Sequence, residues 1–429
     1  MGSRTAIPRE ELSHPGPTMT VTEEKTAAEP LPDPTSTRAT AERAWPLDHP
    51  RAINDVLALL DSTWLSPKTR ARPTHYDVAV SVVCNIKCPF CPRQTFGDEV
   101  VSGLMKEEHY NPIVPHLEVS QRTGLYGLGE PFLNKRFFPF LRAAKERGTY
   151  CMTSSHGMTL NKAMIGRVIE SELDELCISI DGATPRTFAY LRSGADFHTV
   201  VRNVSELLRR RNEAGKRAPR VHIACAVSKY NVWQMKAMVR LTHEMGADKL
   251  AFSNLVLDHK EHAHASVAGT RIFRFNLRRA MREADRLGLE CVYFYQKPFP
   301  WREEQAPPPR GGVRYGCPSA WRQLIVERDG NLKPCCYLDT SLGNSAERPM
   351  EEQFNSGAAV DLRRSFTEGN YLEACKGCGQ FTQIDGERTR EILDEASERI
   401  REGNFSGPVR EKLRAELEEF ERLAASASV

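Results

Sequence analysis

No run of about 18 apolar residues occurs in these 429 residues, so the sequence offers no helix fit to cross a bilayer. The N-terminus also lacks a basic stretch followed by an apolar one, which leaves no secretory signal to read; a cytoplasmic protein with no membrane partner is expected. Charge of one sign is missing too. With 59 Lys and Arg against 56 Asp and Glu, no overall basic field argues for a nucleic-acid partner, and specificity has to come from a site. Internal repeats are absent. What the chain does have is 12 cysteines, several in short-spaced groups; in a reducing compartment that grouping points to metal ligation rather than to a disulfide framework.

Residues 1–45 carry six prolines among Thr, Glu and Ala without apolar periodicity, a composition that does not repay the entropy of ordering, and the segment is expected to be disordered. Residues 46–75 read as a helical edge with Ile53, Val56, Leu57 and Leu60 on one side. From 76 to 296 short apolar runs alternate with helical stretches. Strands are expected at 76–83, 124–128, 149–153, 174–180, 220–227 and 248–253, with a further helix at 270–287 and a strand at 289–295. Such alternation defines an α/β fold with a parallel sheet, open or curled into a partial barrel, whose ligands sit at the C-terminal ends of the strands. A Pro-rich linker follows at 297–312. Residues 313–383 are rich in cysteine and hold a hairpin turning at Asp329-Gly330, and 384–429 are charged C-terminal helices with Leu413, Leu417, Phe420 and Leu423 at helical spacing.

The first cysteine group, Cys84-Asn-Ile-Lys-Cys88-Pro-Phe-Cys91, directly follows the first strand. Three thiolates on one loop hold three irons of a cubane and leave the fourth open to a bidentate ligand, whereas zinc wants a fourth protein ligand, and none stands in the loop. A structural zinc or buried free thiols remain the bland alternative. This CxxxCxxC spacing, with the aromatic Phe90 before the third cysteine, resembles the signature of the radical S-adenosylmethionine (SAM) superfamily.

That resemblance implies a partial (β/α)6 TIM-like barrel, a [4Fe-4S] cluster on Cys84, Cys88 and Cys91, and SAM bound to it. It extends through Gly127-Leu-Gly129-Glu130-Pro131, similar to the GGEP motif that meets the SAM ammonium; Leu128 and the shifted glycine depart from that pattern. It also includes Ser154-Ser155-His156-Gly157 and Ser179-Ile-Asp181-Gly182, similar to the Ser-x-Asp-Gly motif near the SAM carboxylate and ribose. Phe90, Gly129, Glu130, Ser155, Ser179, Asp181, Arg192, Asn231 and Asn254 are thereby the implied SAM-binding residues. Singly, each polar one reads better as a helix cap; together, at successive strand ends, they are better explained by one shared ligand.

In the second group Cys317 and Cys335 flank Gly330, and Cys375-Lys-Gly-Cys378 follows forty residues on. Four thiolates saturate a cubane or a tetrahedral zinc, and spacing alone leaves both open. The pattern, with Leu342-Gly-Asn344, Glu352 to Ser356 and Leu362-Arg363 between, resembles the shortened SPASM, or twitch, domain, which implies one auxiliary [4Fe-4S] cluster on Cys317, Cys335, Cys375 and Cys378. Cys336 is surplus. Cys151, Cys177, Cys225 and Cys291 fall in apolar strands and are expected to be core. The resemblance further implies cleavage of SAM to a 5′-deoxyadenosyl radical and a one-electron donor such as flavodoxin or ferredoxin as partner. Its twitch spacing is similar to that of aminocyclitol dehydrogenases of antibiotic pathways, which implies a small polar substrate, such as a sugar, aminocyclitol or nucleoside, and dehydrogenation. Epimerisation, dehydration, decarboxylation and ribosomal-peptide modification are the alternatives, and a zinc-bearing nucleotide-binding protein the rival from another class. No catalytic side chain is assigned. His156, at a strand exit, is the one guess at a base.

Overall fold

The computed structural model describes residues 46–95, 97, 100–257, 260–294, 314–375, 378, 382–384 and 386–426. The expected disordered segment 1–45 and the linker 297–312 lie outside the described residues. Seven strands follow one another in parallel: β1 His75–Val78, β2 Arg122–Leu125, β3 Tyr150–Ser155, β4 Glu175–Ser179, β5 Arg220–Val227, β6 Lys249–Asn254 and β7 Glu290–Phe294. Their order in the sheet is their order in the chain, the winding of a barrel wall rather than of a doubly wound sheet.

The strands alternate as sheets with one covered face do. In β5, Val221, Ile223, Cys225 and Val227 are buried in one core with Val204, Leu207 and Leu208 of helix Phe197–Glu213 and Met238 and Val239 of helix Met235–Met245. The residues between them point to the opposite, inner side. Helix starts are fixed by side-chain caps: Asn161, Thr184, Asp196 and Thr270 each accept from a backbone N–H of the first turn. Gly246 and Gly288, in the left-handed region, end the helices before β6 and β7.

Beyond the barrel strands lie β8 Arg314–Gly316, β9 Gln323–Val326, β10 Asn331–Lys333, β11 Gly343–Asn344 and β12 Thr382–Ile384. β9 and β10 form the expected antiparallel hairpin through Asp329-Gly330. The other edge of β9 pairs in parallel with β1, His75 against Gln323, so a single sheet runs β11-β10-β9-β1-β2-β3-β4-β5-β6-β7. The Cys-rich hairpin is thus part of the barrel wall. β8 and β12 pair separately.

Helix Pro50–Trp64 packs on the C-terminal helices Gly386–Glu402 and Gly407–Ser426. Val56, Leu59 and Leu60 share a cluster with Ile392, Ala396, Ile400, Leu413, Leu417 and Phe420. Among the described residues no helix is long and apolar enough to cross a membrane.

Candidate active site

The loop after β1 carries Cys84, Cys88 and Cys91, all half-buried and free. Cys91 N donates to Cys88 O at 3.1 Å, and Lys87 N donates to Ser193 O at 2.7 Å, which ties the loop to the segment after β4. The exit of β2 closes against that of β1: Gly129 N donates to Ser81 O (2.9 Å) and Glu130 N to Val83 O (2.8 Å). This approach requires glycine, because a Cβ on Gly127 would stand 2.2 Å from Ser81 O and one on Gly129 2.3 Å from Val83 O. Gly129→Ala therefore has to displace backbone under the cysteine loop, and SAM affinity by calorimetry on reconstituted protein is expected to fall more than about tenfold. Gly166→Ala, where a Cβ meets only the Arg210 side chain at 3.6 Å, is the neutral control.

Glu130 is buried behind this contact. Its Oε1 accepts from Ser155 Oγ (2.9 Å) and Thr159 Oγ1 (3.1 Å), and its Oε2 from His156 N (3.0 Å). Burial pushes the carboxyl up, and these donors oppose the shift. His156 is not poised as a base. Its Nδ1 accepts from Met158 N at 3.1 Å, which leaves Nε2–H to donate to Asn85 Oδ1 at 2.8 Å, and burial, then Arg192, holds its pKa down to about 4. The ring is a neutral strut between the β3 exit and the cysteine loop, which corrects the expectation from its strand-exit position.

After β4, Asp181 Oδ1 accepts from Ala226 N at 2.7 Å, while Oδ2 lies 2.5 Å from Arg192 Nε in an ion pair whose N–H is not aligned for a hydrogen bond. Burial works against the guanidinium charge, but Asp181 and the Cys88 sulfur outweigh it and raise its pKa. Asn231 is committed within the protein: its Nδ2 donates to Asp181 O and Ala226 O, both at 2.8 Å, and its Oδ1 accepts from Ser228 N at 2.7 Å. Ser179, the last residue of β4, is half-buried on the inner side. Asn254 ends β6 and accepts from Tyr293 OH at 3.2 Å. Phe90 stacks on Tyr230, with centroids 6.1 Å apart, and meets His262 edge-on at 5.4 Å. Ser155, Glu130, Asp181 and Arg192 thus come together around the cysteine loop.

At the other site Cys317 precedes helix Pro318–Arg322, Cys335 follows β10, and Cys317, Cys335 and Cys375 pack on a small core of Leu65, Trp321, Leu362, Phe366 and Tyr371. Buried Arg363 braces it, donating from Nε to Ala320 O at 2.8 Å and from Nη2 to Phe354 O at 2.9 Å. Burial first, then the neighbouring sulfurs including Cys378, pushes Cys317 up to about 11 and Cys375 up to about 12. Burial and crowding thus disfavour the thiolates of Cys317, Cys335 and Cys375, a penalty that metal binding relieves. In the first loop, burial again raises Cys84 and Cys88, with Cys91 adding to both.

Residues 78–251 match the family model of the radical SAM superfamily. The chain carries a radical SAM domain. Residues 317–379 match an iron–sulfur cluster-binding domain, SPASM. A cofactor-modifying protein for the tungsten-containing aldehyde ferredoxin oxidoreductase of Pyrococcus furiosus is 26% identical over 334 residues, 72% of this chain and 88% of that protein. An AdoMet-dependent heme synthase of Methanosarcina barkeri is 22% identical over 319 residues, covering 69% and 88%. In structure, Streptococcus suis SuiB bound to precursor peptide SuiA superposes with a TM-score of 0.54 at 15% identity (71% of each chain), and anSMEcpe with bound AdoMet with 0.51 at 18% (83% and 99%). At these identities the structures bear on the fold alone.

As a radical SAM protein with a SPASM domain, the chain binds a [4Fe-4S] cluster and SAM in the barrel and an auxiliary iron–sulfur cluster in the SPASM domain. Among the described residues no three His, Cys, Asp or Glu side chains converge on one metal-sized point. The fit rests instead on donor chemistry, three thiols on one loop and three packed on one small core with Cys378 near them, and on the glycine contact that admits no Cβ.

Sequence reading missed the inner wall of this radical SAM barrel, which is polar. Cys177, expected to be core, is half-buried and faces inward because it falls out of phase with buried Leu176 and Ile178; it is the register partner of His222 in β5. His222 Nδ1 lies 2.7 Å from Glu175 Oε1, and Tyr150 OH donates to Glu175 Oε2 at 2.9 Å. Burial opposes both charges, yet Cys177 and Glu175 raise His222 from 6.5 to about 10, while His222 and Tyr150 lower Glu175 from 4.5 to about 2. The Glu175 contribution to stability is complete above pH 4.5 and lost as pH falls toward 2; that of His222 is complete below pH 6.5 and lost as pH rises toward 10. In thermal melts Glu175→Gln is therefore expected to lie furthest below the native protein between pH 4.5 and 6.5 and to converge on it near pH 10. A pH-independent gap would refute the pairing.

Proposed function

We propose that this radical SAM enzyme removes hydrogen from a carbinol carbon of a small polar molecule, a sugar, aminocyclitol or nucleoside, and oxidises it to the carbonyl, the auxiliary cluster accepting the second electron. The observation that carries this reading is the inner wall. Asp77, Tyr126, Glu175, His222 and Lys249 all take the half-buried positions of their strands or strand exits, so the barrel lumen offers charges and hydroxyls of both polarities. Glu175 pairs with His222 and Lys249 with Glu290 within the wall, so what they offer is a polar surrounding, for which a hydroxylated, charged substrate exchanges water at little cost.

With SAM on the first cluster, the cofactors supply one-electron cleavage of the sulfonium to a carbon radical. The chain's own part is to hold and aim. The Gly127–Gly129 contact brings the β2 exit onto the cysteine loop, buried Glu130 ties β2 to β3, and Asp181 with Asn231 ties β4 to β5. The curated relatives favour a second reading, modification of a cofactor or haem, since their names refer to such substrates. The inner wall carries apolar side chains such as Met152, Ala224 and Ala226 beside its polar ones, so the experiment below includes a tetrapyrrole.

Anaerobic incubation with SAM, reductant and a panel of aminocyclitols, aminoglycosides, nucleosides and iron coproporphyrin decides between them. Loss of two mass units from a carbinol substrate is the expected result. Loss of water marks dehydration, and unchanged mass with deuterium uptake marks epimerisation. Turnover of the porphyrin alone would overturn the small-polar-substrate reading.

A further inference from the structure

Helix Arg271–Leu287 turns two opposed faces. Phe273, Asn276, Ala280, Glu283 and Ala284 are buried, while Arg271, Arg274, Phe275, Arg278, Arg279 and Arg282 lie together on the exposed side, as the 3.6-residue period places them. Buried Glu283 takes Arg286 of the same helix at 2.9 Å, and Arg240 and Lys236 of helix Met235–Met245 at 2.6 and 3.4 Å. The arginines of the exposed side have no such partner, since among the described residues no carboxylate lies within ion-pair distance of them. Arg274 donates to Gly269 O and Arg278 to Arg274 O, and Arg279 lies over the Phe275 ring at 5.4 Å. The Phe275 ring is 53% exposed. In a chain of net charge +3 this stripe, about 17 Å from Arg271 to Arg282, is a local field and not a general one.

The start of this helix stands at the end of the barrel that carries Cys84, Cys88 and Cys91, because the chain enters it from the C-terminal end of β6 and runs back along the outside to β7. The segment before it is tied to the cysteine loop. His262 meets Phe90 edge-on, His264 Nε2 lies 3.3 Å from Tyr230 OH, and Lys229 N donates to Ala265 O at 2.9 Å. Phe90, the residue before Cys91, stacks on Tyr230, and Tyr230 leads into the turn Val232–Gln234, which packs on helix Arg271–Leu287 and bears Trp233, 64% exposed. Packed side chains thus join the cysteine loop to the outer surface where the basic stripe begins.

We propose that the first turns of helix Arg271–Leu287, with Phe275 and the neighbouring Trp233, are the docking face for an acidic one-electron carrier protein of the flavodoxin type that reduces the SAM cluster. The proposal rests on the radical SAM domain and not on the dehydrogenation reading. Unpaired arginines around an exposed aromatic ring make a small, electrostatically steered contact: charge gathers an acidic partner and sets its approach, and the ring supplies a centre that can be desolvated. A carrier needs no larger surface, since transient redox encounters bury less than about 1,200 Å². A nucleic acid or an anionic membrane calls for a basic field wider than one helix face, and the nearly balanced charge of the chain offers none. In the step itself the anionic FMN hydroquinone of the carrier gives one electron to the oxidised [4Fe-4S] cluster and becomes the neutral semiquinone; no proton moves and no bond breaks.

The test uses the full chain reconstituted with both clusters and a bacterial flavodoxin as probe. Binding of oxidised flavodoxin, followed by calorimetry without SAM or substrate, is expected to weaken at least about tenfold between about 0.05 and about 0.5 M salt, and by as much at the lower salt in the triple variant Arg271→Glu, Arg274→Glu, Arg278→Glu. Phe275→Ala is expected to weaken it at least about threefold. The control triple Arg142→Glu, Arg147→Glu, Arg217→Glu makes the same change of net charge at exposed positions elsewhere and stays within about twofold of the native protein. With SAM alone, 5′-deoxyadenosine formation by the first triple falls at least about tenfold when limiting flavodoxin hydroquinone is the reductant and stays native with dithionite, which needs no docking. Failure of the native protein to bind flavodoxin overturns the proposal, as does native binding by the first triple or equal weakening in both triples. Loss of dithionite-driven cleavage in the first triple marks structural damage and overturns it as well. Tighter binding of a duplex oligonucleotide or of phosphatidylglycerol vesicles, lost in the same triple, assigns the face to those partners instead. A native protein that cleaves SAM yet gives no ketone from any carbinol sinks the dehydrogenation reading and leaves this docking face standing.

Discussion

Cys88→Ala is expected to abolish 5′-deoxyadenosine formation and to leave reconstituted protein with about four irons where the native protein holds about eight. With two sulfurs left on the loop after β1, a cubane has no third protein ligand, and no other Cys or His stands within that loop to replace it. The effect is confined to the cluster. Cys88 is half-buried at the rim of the main core rather than inside it, so the thermal midpoint of the apoprotein is expected to move by only a few degrees. Arg192 makes Cys88 the most telling of the three positions: its guanidinium faces both that sulfur and Asp181, so losing the sulfur leaves the ion pair standing. Iron analysis and chromatography of the SAM products read the outcome. Retained cleavage by a two-cysteine loop would sink the assignment of this loop to the SAM cluster.

Much of this arrangement was legible because each strand of a one-face-covered parallel barrel carries its own period. β5 spans the expected 220–227, since an uninterrupted alternation bounded by Pro219 and Ser228 leaves little freedom in where it starts and ends. β1 is shorter than the expected 76–83. After Val78 the chain bends, with Val80 N donating to Val78 O at 2.9 Å, while Ala79 N and Ser81 N still reach the neighbouring segments at Val326 O and Tyr126 O, and apolar content alone does not reveal that bend. Pairing between distant segments was equally hidden. Nothing in WRQLIVE announces that β9 lies beside β1, nor does the apolar side of helix Pro50–Trp64 announce that its partners are helices some 330 residues later. The cysteine loops were readable because metal ligation imposes short spacings. Asp77, Cys177 and His222 were not, because a side chain's face is set by strand phase, and phase becomes certain only once register is known.

Cys317→Ala and Cys378→Ala separate the two clusters by function. Each is expected to leave SAM cleavage within about threefold of the native protein while product from a carbinol substrate falls below detection, since ligation by all four thiolates would close every iron of the auxiliary cluster and leave it electron transfer as its chemistry. Cys317 is the more severe position, because it opens the helix that leads straight into β9, and β9 is hydrogen-bonded to β1. A displaced β9 would disturb the cysteine loop as well, so Cys378, which follows no barrel strand, isolates the electronic effect. The pair is therefore read together. Loss of product in both with cleavage intact in Cys378→Ala supports electron acceptance. Loss of cleavage in Cys317→Ala alone shows instead how far the shared sheet transmits strain from one cluster site to the other. Undiminished product from Cys378→Ala would remove the auxiliary cluster from the reaction.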